Sequence, residues 1–385
     1  MEISIDNRLE IIDPPFSSPV VDLVVALNNL RDKKLDGTTE PRLFFQIKEI
    51  FQMVESLESA RIEGNHTTLV DYVAEKLNVK KTNDEQFLEI SNIQKAMDFV
   101  EEYFQDGDLT ARIDRMFILQ LHKMVVSHLQ NEGDRTPREY RKSNVKIGLS
   151  KHVPPDHLQV SPYMDKLIHF INNNDKPKYD LLKTAIAHHA FVWIHPFTNG
   201  NGRTVRLLTY AMLIKQGFNI STGRILNPTA VFCNDREKYY HSLGLADTGT
   251  TEGKLAWCEY VLGGLKEEIE KIDQLLSSDQ LINNILLPAL KDCFETKKII
   301  SSEQYDWLVI AARRQVVKAN DFKESATSCD AKTISRKVTK LKEIGLIKNL
   351  GEVSRKYHIN LLGNIDFLRS IVHQLREKGF VPKNL

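Results

Sequence analysis

The stretch that most constrains this chain runs from His195 to Arg206 and reads His-Pro-Phe-Thr-Asn-Gly-Asn-Gly-Arg-Thr-Val-Arg. Pro196 pushes the residue before it out of helical geometry, and Asn199-Gly200-Asn201-Gly202 is loop punctuation. From Arg203 to Lys215 the pattern reverses: Val205, Leu208, Met212 and Leu213 recur at helical spacing. A glycine-rich loop therefore runs straight into a helix start. Backbone N–H groups at a helix start point outward, and the dipole adds partial positive charge. Gly200 and Gly202 carry no side chains that would hold an anion off. Arg203 and Arg206, three apart, share one face near that end. Such a loop is built for phosphate. His195 at its mouth supplies a ring that can take a proton near neutral pH.

Two other phosphate loops are excluded. A P-loop needs a lysine after its last glycine, where Arg203 stands, and the dinucleotide fingerprint needs a third glycine at Val205. The stretch resembles the signature of the Fic family, His-Pro-Phe-x-Asp/Glu-Gly-Asn-Gly-Arg-x-x-Arg, with Asn199 at the acidic position as the single departure. The resemblance covers roughly residues 45–260. It implies a mainly α fold, a Fic helical bundle with a short β-hairpin flap. It also implies a reaction, transfer of AMP from ATP to a Ser, Thr or Tyr hydroxyl of a target protein. His195 would be the catalytic base. The backbone of Gly200, Asn201 and Gly202 would hold the α-phosphate, with Asn201 bracing the loop and reaching a phosphate oxygen. Arg203 would take the β-phosphate and Arg206 the γ-phosphate, with Thr204 and Val205 between them in the nucleotide-binding run. ATP is then the substrate and Mg2+ the expected ion. The family's acidic residue holds that ion, so the neutral amide of Asn199 implies a weakened metal site.

A second stretch, Ser59-Ala-Arg-Ile-Glu63-Gly64-Asn65, closes a helix predicted over 42–63, whose Leu43, Ile47, Ile50, Phe51, Val54 and Leu57 share a side. Ser59 and Glu63 lie one turn apart, and Gly64 suits the left-handed geometry of a helix C-cap. A carboxylate at a helix C-terminus opposes the dipole. It needs a cation, and Arg206 is the natural candidate. The stretch also resembles the Fic inhibitory motif Ser/Thr-x-x-x-Glu-Gly/Asn. In the family that glutamate pairs with the second signature arginine and blocks productive γ-phosphate placement. Ser59, Glu63, Gly64 and Asn65 are the matching positions, and the order matches the subclass with its inhibitory helix N-terminal to the core.

At 385 residues, 42% hydrophobic and 27% charged, the composition is that of an ordinary globular protein of two or three domains. No apolar run reaches transmembrane length, so no membrane partner is expected. The start, Met-Glu-Ile-Ser-Ile-Asp, lacks the pattern of a secretory signal. Cys233, Cys258, Cys293 and Cys329 form no Cys-x-x-Cys pair. A cytoplasmic protein without disulfides is the expectation. The expected domains are an N-terminal helical region with the inhibitory helix (1–110), a Fic core (111–275) and a C-terminal module (281–385), with a linker at Gln274–Gln280. Thr222–Phe232 reads as a loop, and His188 and His189 read as core or orienting groups. Val145-Lys146-Ile147-Gly148 alternates like a short strand. The resemblance makes it part of the flap on which an extended target segment docks by strand addition. By motif alignment the family's adenine-side aromatic falls on Tyr239, and Asp247 on a position the family often fills with asparagine.

Charge divides unevenly. Residues 281–385 hold 19 Lys and Arg against 11 Asp and Glu, a balance of +8, while residues 1–280 hold 33 against 40, a balance of −7. A basic C-terminal part suggests an anionic partner. Its order is a short helix around Lys318–Lys323, a polar turn at Ser325–Ser328, a basic helix over Ala331–Gly345 and two short strands around Gly351-Glu352. That order resembles a winged helix-turn-helix. Lys332, Ser335, Arg336 and Thr339 would lie on the exposed face of the basic helix, with chemistry suited to DNA phosphates and base edges. Winged helices also dock proteins, so both partners stay open at this point. Two other functional readings follow. Asn199 and the basic helix favour an ATP-sensing DNA-binding regulator with a weak or inactive site, whereas the intact His195 favours the transferase. In the reverse reaction, removal of AMP, Glu63 would position water. Fic proteins often form dimers, so the resemblance alone raises a homodimer.

Overall fold

The structure, a computed structural model, describes residues 4–32, 39–77, 84–104, 111–148, 152–173, 176–218, 228–324, 330–351 and 354–382. It is mainly α. Along the chain come α1 (Ile5–Arg8), α2 (Pro19–Asp32), α3 (Pro41–Ile62), α4 (Leu69–Lys76), α5 (Glu85–Tyr103), α6 (Arg115–Val126), α7 (His157–Asn172), α8 (Asp180–Ile194) and α9 (Asn201–Lys215). Then follow α10 (Thr229–Cys233), α11 (Arg236–Asp247), α12 (Thr251–Leu275), α13 (Ser278–Leu281), α14 (Leu287–Glu295) and α15 (Ser302–Arg314). The last elements are β1 (Val317–Lys318), α16 (Ala331–Glu343), β2 (Ile347–Asn349), β3 (Lys356–Ile359) and α17 (Ile365–Glu377). The described residues gather into two compact units. The first draws on 1–35, 55–66 and 83–270, and the second on 36–54, 67–82 and 271–385. The N-terminal segments are thus shared between the units instead of forming a unit of their own.

In the first unit α8 is the central helix. Leu181, Leu182, Ala185, Ile186, Ala190, Phe191 and Ile194 are buried around its whole circumference. A helix that is apolar on every side must be covered on every side. It packs against α7 and α9, and α9 packs in turn on α5 and α6. Asp84, Asp114 and Asp156 cap α5, α6 and α7 by accepting from backbone N–H groups. The loop expected over Thr222–Phe232 is in part a helix. Residues 219–227 lie outside the described residues, and Thr229–Cys233 is the short α10, with Thr229, Ala230, Val231 and Phe232 buried.

In the second unit α14 packs on α15 and α17. A three-stranded antiparallel sheet has the order β1-β3-β2, with Val317 opposite Tyr357 and Ile347 opposite Ile359. Gln46 on α3 ties to its rim, its Nε2 donating to the Ile359 carbonyl at 3.0 Å and its Oε1 accepting from the Leu361 N–H at 2.8 Å. Trp307 stacks on Phe322 at 4.7 Å. The linker expected at Gln274–Gln280 shrinks to a short break. Helix α12 runs to Leu275, and Ser277 caps α13 by accepting from the Gln280 N–H. The polar run Ser277-Ser278-Asp279 is helix-start chemistry, which composition alone does not tell apart from a linker. The turn expected at Ser325–Ser328 lies outside the described residues, as do Cys329 and Glu352.

Candidate active site

Everything at the site starts from how α8 ends. His195 is its C-cap in left-handed geometry, φ 50° and ψ 63°, with its N–H on the Phe191 carbonyl at 2.9 Å. A non-glycine residue held there stores strain on the order of 1–3 kcal/mol, so something must hold it. Arg141 does. Its Nε donates to the His195 carbonyl at 2.9 Å, its NH1 to the Ser143 carbonyl at 3.0 Å, and its backbone N–H to the Pro196 carbonyl at 2.9 Å. Its NH2 also reaches the Pro155 carbonyl. The arginine is 3% exposed.

The half-buried His195 ring is kept neutral. Burial pushes its pKa down to about 4; the Arg141 and His152 charges add to this, and the Val192 backbone and Glu63 oppose it. Its Nδ1 is buried without a well-aligned partner among the described residues.

The loop after His195 is braced from below. Asn201 folds its amide back on Phe197, Oδ1 accepting from the N–H at 2.9 Å and Nδ2 donating to the carbonyl at 2.8 Å. Phe197 is fully buried and stacks on His122 with centroids 3.7 Å apart and planes 3° off parallel. His122 Nδ1 accepts from the Arg138 N–H at 3.2 Å, so its Nε2 carries the proton and donates to the Asn199 carbonyl at 3.1 Å. Burial pushes the His122 pKa down to about 4. Asp134 completes the support by accepting from the Asn199 N–H at 3.2 Å. Gly200 turns at φ 76°, and a Cβ there would lie 2.7 Å from Val126 Cγ1. Only glycine fits both demands.

Helix α9 then starts at Asn201 with Gly200 as N-cap and no side-chain capping bond. Thr204 donates from its N–H at 3.0 Å and its Oγ1 at 2.8 Å to the Gly200 carbonyl. Val205 is core. The anion seat at this helix start is taken by Glu63. A Cβ on Gly202 would fall 2.1 Å from Glu63 Oε1. The same oxygen accepts from Arg206 NH2 at 2.8 Å. Arg206 also donates from Nε to Ser59 Oγ at 2.9 Å and from NH2 to the Ser59 carbonyl at 2.8 Å. Burial would raise the Glu63 pKa, but Arg206 and Arg203 outweigh it and leave it below the usual range. Gly64 follows at φ 106°, the left-handed turn expected of it.

Arg203 faces elsewhere. It is fully buried, pairs with Glu89 through NH1 at 2.8 Å, and donates from NH2 to the Glu132 carbonyl at 2.8 Å. Asn65 Nδ2 donates to the other Glu89 oxygen at 2.8 Å. The sequence motifs point to the arginine, and nothing in them points to its acidic partners.

Magnesium does not fit at Asn199. Its Oδ1 already accepts from the Gly200 N–H at 2.7 Å and lies 3.5 Å from Arg203 NH2, a cation beside the would-be ligand. Among the described residues no group of three His, Cys, Asp or Glu could hold a metal. A hard dication wants several anionic oxygens, and this loop offers donors.

Beside the last turn of α8 opens a cavity of about 740 Å³, walled by Ile147, Gly148, Val192, Trp193, Tyr240 and Asp247 among others. Here the reading of Tyr239 needs correction. Tyr239 is 4% exposed and joins the core through His188 Nε2 at 3.0 Å. Its neighbour Tyr240 lines the cavity. The two adjacent tyrosines point to different sides of α11, and motif alignment cannot say which side faces the cavity. Asp247 accepts from His189 Nε2 at 3.0 Å, and its carboxylate lies 3.9 Å from Arg8 NH1 as an ion pair; Arg8 lies 4.3 Å over the Trp193 ring. The strand expected at Val145–Gly148 has no ladder partner among the described residues; residues 149–151, where a return strand would begin, lie outside them.

Sequence reasoning missed Arg141, His122, Asp134 and Glu89. Arg141 had one signal, an arginine in a Pro-containing loop. The others sit on helices or turns whose patterns read as ordinary core or surface. In the second unit, Lys332, Ser335, Arg336 and Thr339 are all exposed on α16.

A histidine in a strained helix cap, a glycine-led helix start without a side-chain cap and a carboxylate set against it meet at one end of a helical bundle. Residues 112–213 match the Fic/DOC family. The chain is 31% identical over 195 residues to proteins named protein adenylyltransferase Fic from Drosophila virilis and Drosophila melanogaster. The match takes in 50% of this chain but only 37% and 36% of theirs. The chain thus spans little more than a third of the length of these curated relatives. Among solved structures, a Fic family protein from Desulfovibrio desulfuricans G20 aligns with a TM-score of 0.54 at 19% identity, covering 91% of this chain and 98% of that one. Fic-1 from C. elegans aligns with a TM-score of 0.53 at 20% identity, covering 66% and 71%. At these identities the likeness is one of fold.

Proposed function

We propose that this protein transfers AMP from ATP to a hydroxyl of a target protein, and that its own Glu63 restrains it. One observation carries the reading: the Glu63 carboxylate lies against Gly202 while paired with Arg206, where a nucleotide phosphate would otherwise be gripped. In the reaction the target hydroxyl oxygen attacks the α-phosphorus. The bond from that phosphorus to the bridging oxygen of the β-phosphate breaks, and pyrophosphate leaves. The hydroxyl proton passes to His195 Nε2, which the low pKa keeps unprotonated at neutral pH. Negative charge from an arriving nucleotide raises that pKa and strengthens the base. The N–H groups at the start of α9 face the charge that builds on the α-phosphate. The base of the nucleotide has room in the cavity beside Tyr240 and Trp193, whose size is ordinary for a ligand site. An extended target segment would pair along Val145–Gly148. A cytoplasmic location belongs to the same reading.

The test is incubation of Glu63→Gly with labelled ATP and a lysate or the protein alone. The expected result is protein-bound label that survives denaturation and vanishes in Glu63→Gly with His195→Ala. Label on no protein, including the enzyme itself, would sink the proposal. Tight ATP binding without label transfer would favour the sensor reading, which Asn199 supports.

A further inference from the structure

The Fic loop absorbs the chemistry of the first unit. It leaves a strongly basic surface of the second unit without a role. Residues 331–356 hold eight Lys and Arg against two Glu. The structure shows how they are arranged. Helix α16 buries Ile334, Val338 and Leu341 on one face. The opposite face presents Lys332, Ser335, Arg336, Thr339 and Lys340 to solvent. Lys337, on the flank, pairs with Glu303. Asp330 at the helix start acts on Arg336 through its charge, but among the described residues none of Lys332, Arg336, Lys340, Lys348 and Lys356 forms an ion pair at contact distance.

The sheet adds an independent sign. Lys318 on β1 sits directly opposite Lys356 on β3, both exposed. Like charges across a ladder cost stability. Among the described residues neither lysine has an ion pair at contact distance, so a neutralising charge from outside the chain would relieve the pair. Lys348, opposite His358 on the other edge of β3, is exposed beside them.

We infer that this face binds duplex DNA, with α16 in the major groove and the β2–β3 hairpin along the backbone. The helix has 13 residues, so it is about 20 Å long, and the major groove admits a helix of this width. Phosphates of a duplex repeat at a spacing that can meet Lys332, Arg336 and Lys340, one turn apart, together with the hairpin lysines. Ser335 stands between them with a hydroxyl suited to a base edge or phosphate; the Thr339 hydroxyl donates back to the Ser335 carbonyl at 3.1 Å and can only accept. An acidic protein would meet the charge as well. The element order favours the duplex: α15, β1, a 3-10 turn at Ala319–Glu324, α16 and a hairpin place the one basic helix beside a basic strand pair.

The experiment is fluorescence anisotropy of the full-length protein with a labelled mixed-sequence duplex of about 30 base pairs at about 50 and about 200 mM salt. With about four phosphate contacts, affinity falls about a hundredfold over that range. The combined Lys332→Ala, Arg336→Ala and Lys340→Ala variant, checked by circular dichroism for an unchanged fold, lowers the salt slope by about three units. His195→Ala binds as the unaltered protein does. A duplex that fails to bind at the lower salt overturns the proposal. So does a triple variant that binds with the same slope, or a duplex displaced by polyglutamate at matched charge concentration, which would mark the face as a dock for acidic protein.

Discussion

Arg203 and Arg206 lie three residues apart on one helix, and both are almost wholly out of water. Their partners differ in kind. Those of Arg203 are Glu89 on α5 and the chain at Glu132, and the Glu89 side chain is 4% exposed. Those of Arg206 are Ser59 and Glu63 at the end of α3, and the Glu63 side chain is 28% exposed. One arginine is part of the frame that holds the loop. The other is closed off by a helix end that water already reaches. Asn65 joins the two, because it donates to Glu89 just past the residue that pairs with Arg206. Two residues equivalent in a sequence motif thus have separate tasks, set by what packs against them.

The largest expected effect tests that division directly. Arg203→Ala strands the buried Glu89, and breaking a buried pair from one side costs about 3–5 kcal/mol. Arg206→Ala strands a carboxylate that is partly in water, and should cost well under half of that. Urea unfolding of both variants makes the comparison. Equal losses would mean that Glu63 is as much a part of the frame as Glu89.

How far this was legible from the residues follows the same line. The loop, its helix and the Glu63–Arg206 pair could be read, because each rests on local chemistry: prolines and glycines, helical spacing, a carboxylate misplaced against a dipole. The frame could not. Arg141, His122, Asp134 and Glu89 reach the loop from segments 54 to more than 100 residues away in the chain, counted from His195. No periodicity encodes such meetings. Tyr239 went to the wrong side for a related reason. Two adjacent tyrosines on a helix face apart, and only the packing of His188 shows which is core. The second unit's α12–α13 junction misled because serine and aspartate serve both caps and linkers.

Acid should separate frame from gate. His122 has a folded pKa of about 4 against about 6.5 when unfolded. The unfolded chain therefore binds more protons between those values. The contribution is fully present above about pH 6.5 and is lost as pH falls toward about 4, at up to about 1.4 kcal/mol per pH unit. Glu63, whose pKa is lowered, keeps its contribution until pH drops below the ordinary carboxylate range. Urea midpoints measured from pH 7.5 down to about 4.5 should fall, and fall less steeply in His122→Gln. A His122→Gln profile as steep as that of the unaltered protein would move the acid sensitivity away from the loop's support.

The smallest effect tests the proposal that Glu63 restrains nucleotide binding. Glu63→Gly removes the carboxylate from the start of α9 and releases Arg206 from its partner, while Ser59 still holds the guanidinium in place. Calorimetry with ATP should show binding about tenfold tighter, worth about 1.4 kcal/mol. Glu89→Gln gives the contrast. It keeps the shape around Arg203 and removes only the charge, so stability drops while ATP affinity stays within about twofold. The reverse result, a Glu89→Gln protein that binds ATP more tightly than Glu63→Gly does, would make Arg203 the gated arginine. Glu89 would then compete with the β-phosphate for it, and Asn65, through its 2.8 Å bond to Glu89, would be the part of the inhibitory segment that sets how strongly.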